Sequence, residues 1–124
     1  MKILLSCLAA LLFLTASAQN DTALVKFDKT THSFGKIKQH VPATTFFKFT
    51  NNSDKALIIE TATAECGCTT PDYPKTPIQK GKQATIKVTY NAESPGEFTK
   101  RVTVKFANIA EPVILTIKGV VVPS

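Results

Sequence analysis

Two thiols separated by one glycine are the residues of this chain best suited to chemistry. They are Cys66 and Cys68, within Ala64-Glu65-Cys66-Gly67-Cys68-Thr69-Thr70-Pro71. In an extended strand, residues two apart stand roughly 6.6 Å apart at Cα and project to one face. That spacing is the upper limit for a disulfide, so a bridge requires the backbone to bend, and Gly67 is the residue that bends it at little cost. A bridge enclosing one residue removes little entropy from the unfolded chain, and strain in so small a ring favours its reduction. Held as thiolates, the pair instead suits a soft ion such as Cu(I), or part of a zinc site that needs four ligands. The third reading is packing alone, since free cysteine is among the most buried residue types. Thr69 and Tyr73 are the neighbours that shape access to the sulfurs, and Tyr73 serves either as a cover over them or as a plug at the end of the core.

Nothing else in the sequence completes a catalytic set. His32 and His40 are not at ligand spacing, and Glu60, Glu65 and Asp72 read as solvated carboxylates. There is no Ser-His-Asp pattern, no paired carboxylate constellation and no phosphate loop. Lys75 is the one cation close in sequence, and no helix start is evident that would lower a thiol pKa. The expectation is a protein that is not an enzyme and holds no cofactor, with a thiol-redox or Cu(I)-handling role for Cys66 and Cys68 as the alternative.

The elements that position this motif begin after an export signal. Lys2 precedes the apolar run Ile3 to Leu14, and Ala16-Ser17-Ala18 supplies a small-x-small cleavage pattern. Residues 1–18 read as a cleaved signal peptide, with cleavage between Ala18 and Gln19. The run is short of the roughly 20 apolar residues that span a bilayer, and no second span follows, so no integral membrane segment is expected in the mature chain. Cys7 goes with the signal. The remaining even pair of cysteines, in a periplasmic or extracellular setting, raises the expectation of a disulfide.

Residues 19–124 have the size of one domain. The chain carries 15 Lys and Arg against 9 Asp and Glu. The surplus is scattered lysine with a single arginine, Arg101, rather than clustered Arg and Lys between aromatic platforms, which argues against nucleic acid as a partner. Lysines alternating with apolar residues are what the wet face of a sheet looks like.

Leu24 to Phe27 reads as a first edge strand that Thr30 to Ile37 continues, with a bulge or bend at Gly35. Ala43 to Thr50 puts Thr45, Phe47 and Phe49 on one face and Phe46 and Lys48 on the other. Asn51 to Asp54 is a turn by composition. Ala56 to Ala64 follows as a strand, so the cysteine motif arrives as a strand ends. Pro71, Pro74 and Pro77 then allow only an extended loop or a broken edge strand. Ala84, Ile86, Val88 and Tyr90 face inward on the next strand, and Phe98, Val102, Val104 and Phe106 on the one after it. Pro112 to Val121 closes the chain as a final strand. Strands at this spacing, with no helical periodicity, make an all-β antiparallel sandwich of about seven strands.

Ser33-Phe34-Gly35-Lys36-Ile37 before the Phe47 to Asn51 strand, Glu65-Cys66-Gly67-Cys68-Thr69-Thr70-Pro71, Ile78 to Gly81 and Pro95-Gly96-Glu97-Phe98 together resemble the bacterial domain of unknown function 1573 family. The resemblance implies an exported immunoglobulin-like β-sandwich, typical of Bacteroidetes-like bacteria, and maps the family's cysteine pair onto Cys66 and Cys68. It brings no activity with it. The functional expectation is a cell-envelope module that binds a protein or a glycan through loops or a sheet edge.

Overall fold

A computed structural model describes residues 24–124; the expected signal peptide, Cys7 and the expected Ala18–Gln19 cleavage site lie outside the described residues. The described chain is all β. Its strands are β1 (Val25–Phe27), β2 (Thr31–Lys38), β3 (Ala43–Asn51), β4 (Ile59–Ala64), β5 (Thr69–Asp72), β6 (Gln83–Tyr90), β7 (Gly96–Phe106) and β8 (Val113–Val122). They form two four-stranded sheets, a first sheet ordered β1-β3-β6-β5 and a second ordered β2-β8-β7-β4.

Alternation dictates the core. Phe47 and Phe49 of β3, Ile86 and Val88 of β6, Val102, Val104 and Phe106 of β7, and Leu115 and Ile117 of β8 are buried between the sheets. Their outward neighbours are polar because a sheet with one wet face requires period-2 patterning. Phe46 on β3 and Ile114 and Val122 on β8 are exceptions, and Phe46, an aromatic on the wet face, is the most exposed of them at 57%.

The first strand does not continue as its alternation suggests. β1 pairs antiparallel with β3, whereas β2 crosses to the other sheet and pairs parallel with β8. Bends at Asp28 and Thr30 break the chain between them. This crossing raises the strand count to eight and places one parallel ladder in an otherwise antiparallel sandwich. The register of β2 shifts between Ser33 and Lys36, where Gly35 sits at φ 69°, the bulge its glycine implies. Gly119 of β8 lets the strands close on that bulge. A methyl group there would meet the Gly35 carbonyl oxygen at 2.8 Å and the Phe98 ring at 3.0 Å.

β4 is shorter than its hydrophobic run. It starts at Ile59, and Leu57 instead forms an isolated bridge to Ile78 through two backbone hydrogen bonds of 2.8 Å. Beside that bridge, Asn51 is fully buried rather than part of a solvated turn. Its amide nitrogen donates to the Lys55 and Ile78 carbonyls at 2.8 and 2.9 Å, and its side-chain oxygen accepts from the Ser53 N–H and hydroxyl at 2.9 and 2.6 Å. Both donors and both acceptor sites of the side chain are thereby used, which is what makes a buried amide tolerable.

Candidate functional site

The cysteine motif is the corner at which the chain passes from one sheet to the other. β4 is an edge of the second sheet and β5 an edge of the first. Glu65 holds the departure. Its N–H donates to the Arg101 carbonyl at 3.3 Å, and its carboxylate accepts from the Arg101 N–H at 2.9 Å. The exposed carboxylate that the sequence offers to solvent therefore ends the β4–β7 ladder. On arrival, the Cys68 carbonyl accepts from the Asn91 N–H at 2.9 Å, and Thr69 stands opposite Tyr90 in register.

Cys66 and Cys68 are joined as a disulfide, with their Cα atoms 5.3 Å apart, inside the extended spacing. Among the described residues, no group of three His, Cys, Asp or Glu side chains converges as a metal site. Gly67 makes the turn without entering the left-handed region, and nothing lies within 4 Å of where its Cβ would be.

Both sulfurs are half-buried, and one hydroxyl serves both. Thr69 Oγ1 lies 3.8 Å from Cys66 Sγ and 3.6 Å from Cys68 Sγ, on a residue only 4% exposed. Those sulfurs are the hydroxyl's only hydrogen-bond partners among the described residues. Tyr73 packs half-buried on the rim of the core, with the Lys75 ammonium 3.1 Å from its ring centroid, so it plugs the core and Lys75 is engaged with it.

A surface cleft of about 330 Å³ opens beside the disulfide, lined among others by Cys68, Tyr90, Asn91, Glu93, Glu97 and Lys100. Tyr90 forms its floor, stacked on Phe98 with ring centroids 4.0 Å apart and 18° between planes. Burial raises the Tyr90 phenol pKa above its ordinary value. Lys100 is the residue that motif reading passes over. It occupies an inward phase of β7, between Phe98 and Val102, and is half-buried. A charge in the inward row of a strand whose other inward residues are apolar is the sequence signal that marks it. The histidines stay apart from this arrangement. His32 Nδ1 is 2.8 Å from the Lys29 ammonium, and its pKa is lowered first by desolvation and then by that charge.

A second surface lies on the outer face of the first sheet. Phe46, Tyr73, Asp72 and Lys87 line a groove of about 420 Å³. Phe46 pairs with Lys87, and Lys87 with Asp72, across three adjacent strands. One row away, the Thr44 and Thr89 hydroxyls are 3.2 Å apart. The ion pair among the described residues is Lys80–Asp54, so Lys26, Lys48 and Lys87 present free ammonium groups on this face.

Comparison with known proteins fits this architecture. Residues 25–121 match the model of a family described as a protein of unknown function, DUF1573. A protein of unknown function from Porphyromonas gingivalis W83 superposes with a TM-score of 0.69 at 12% identity, over 84% of this chain and 50% of that one. This chain thus spans half the length of that structure. The PapD-like domain 7 of human CEP192 superposes with a TM-score of 0.72 at 5% identity, over 86% and 90% of the two chains. The VesB protease of Vibrio cholerae gives 0.62 at 14% identity, over 80% of this chain and 32% of the protease. At such identities the likeness is one of fold, the PapD-like and immunoglobulin-like β-sandwich. No curated protein matches the sequence.

Proposed function

The chain belongs to the DUF1573 family, and from that premise we propose a non-enzymatic binding module of the cell envelope whose ligand is an acidic glycan. Its binding surface is the outer face of the first sheet. The observation that carries this reading is Phe46, 57% exposed in the middle of a wet sheet face and flanked in register by Lys87. An exposed aromatic ring on a flat sheet offers the apolar C–H face of a sugar a platform, and fully burying such a ring is worth about 1.5–3 kcal/mol. The Thr44 and Thr89 hydroxyls supply hydrogen bonds to sugar hydroxyls. Lys26, Lys48 and Lys87 outnumber the carboxylates of Asp72 and of Asp28, whose N–H donates to the Lys48 carbonyl, and favour a ligand carrying carboxylate or sulfate groups.

The export signal expected in residues 1–18 supports a periplasmic or extracellular setting for this module. Among the described residues, no helix is long and apolar enough to cross a membrane.

Affinity electrophoresis in gels containing polygalacturonate or dextran tests the reading. Retardation by the acidic polymer alone is expected, weakening with salt, and Phe46→Ala should lower the affinity about tenfold. Absence of retardation in every acidic glycan tried overturns it. Recovery from envelope extract of one protein whose binding Phe46→Ala abolishes assigns the same face to a protein partner instead.

A further inference from the structure

From the corner between the sheets we infer that Cys66–Cys68 is an exchangeable disulfide that accepts electrons from a peptide-borne dithiol, with Thr69 donating a hydrogen bond to each departing sulfur. This role is independent of the glycan face.

Three observations support the assignment. The bridge encloses one residue, so it contributes little of the unfolded-state restriction for which structural disulfides are kept. Cys68, and not Cys66, lines a cleft large enough to admit a peptide segment, which gives an incoming thiolate a defined sulfur to attack. Thr69 is more than nine-tenths buried, yet its hydroxyl has only the two sulfurs for hydrogen-bond partners among the described residues. A neutral disulfide sulfur is a weak acceptor, whereas a thiolate is a strong one. The hydroxyl therefore stabilises the product of exchange far more than the resting bridge.

The first step is attack of a dithiol thiolate on Cys68 Sγ from the cleft. A new S–S bond forms to Cys68 as the Cys66–Cys68 bond breaks, and the electron pair leaves on Cys66 Sγ, 3.8 Å from the Thr69 hydroxyl. The second thiolate of the dithiol then attacks its own sulfur in the mixed disulfide. That step expels Cys68 Sγ, which lies 3.6 Å from the same hydroxyl. Two electrons pass from the dithiol to the cysteine pair. One S–S bond is lost and one gained, and the two protons released by the dithiol end on Cys66 and Cys68. Lys100 brings a cation to the cleft and Glu93 and Glu97 bring carboxylates, a lining that opposes a free anionic thiol such as glutathione more than a neutral dithiol.

Purified full-length protein is treated with dithiothreitol, and separately with glutathione, at matched thiolate concentrations in native buffer. Quenched samples are read by intact mass for the gain of two hydrogens. Reduction without unfolding is expected, faster with the dithiol. Thr69→Val should slow it about tenfold and Thr69→Ser should restore it, with near-ultraviolet circular dichroism unchanged in both. Wild-type protein that keeps its disulfide in excess dithiol until denaturant is added overturns the inference, and so does a Thr69→Val protein reduced at the wild-type rate. Phe46→Ala should leave these rates unchanged while glycan retardation weakens, so the two readings fail separately.

Discussion

The two ends of the sandwich solve one problem with opposite chemistry. At one end Asn51 ties the β3 exit to the loops around Lys55 and Ile78 by four hydrogen bonds of its fully buried side chain. At the other, where β6 ends at Tyr90, the corner from β4 to β5 is tied by a half-buried disulfide, one hydroxyl and the Glu65 clamp. The first knot has no capacity left over and nothing in solution can edit it. The second contains one bond that a thiol can open and one donor whose strongest use comes only after that bond has opened. Structural weight and chemical responsiveness have been placed at different poles, and a change at one pole should read out differently from a change at the other.

The largest effect should come from the saturated pole. Asn51→Leu removes four hydrogen bonds at a buried position and leaves the Ser53 N–H without its acceptor, and denaturant titration should show a loss of about 3 kcal/mol. Opening the other pole should cost much less. The Cys66→Ala, Cys68→Ala double variant is expected to lose about 1.5 kcal/mol in the same titration, the small loop-closure value for so short a ring. A loss as large as that of Asn51→Leu would erase the contrast.

Alkaline pH sharpens the comparison further. The Tyr90 pKa is raised in the fold by burial, so the unfolded chain releases its phenolic proton first as pH rises. Stability from this group is complete below the unfolded value near 10 and falls as pH climbs from there through the higher folded value. Thermal melts between pH 9 and 11 should show that decline in the wild type and a flatter profile in Tyr90→Phe, with amides near Thr69 losing hydrogen-exchange protection before those near Asn51. The smallest effect is expected at Gly67→Ala. Open space surrounds that position and its backbone avoids the left-handed region, so the change should stay within about 0.5 kcal/mol and the disulfide should still form.

These contrasts were only partly legible in the residue pattern. Alternation located β3, β6, β7 and β8 and the inward faces of β6 and β7, because period 2 is a local property of a half-wet strand. It also put Phe46 on the face of Lys48, opposite Phe47 and Phe49, and that face is the exposed one. Alternation says which face a residue takes but not which strand lies alongside. Thr30 to Ile37 therefore read as a continuation of β1, although its partner lies near the far end of the chain. Asn51 carried the composition of a turn, because the carbonyls that allow its burial come from Lys55 and Ile78 and are brought to it by the fold. The cysteine pair was visible at once. Its corner position and its shared hydroxyl depended on β4 and β5 belonging to different sheets. Lys100 is different again, since its inward phase was readable and only the cleft gives it meaning.

The parallel ladder between β2 and β8 sets a timetable for folding. Thr31 pairs with Thr116, a partner 85 residues further along the chain. A polypeptide emerging N-terminus first at about 5–20 residues per second exposes β2 for several seconds or more before β8 exists to receive it. The β3–β6 ladder can close earlier, but the second sheet assembles around β8, the last strand made. Contacts this distant in sequence slow folding through the entropy of closing a long loop. The nascent chain therefore spends its vulnerable interval with one sheet started and the other waiting for its final strand.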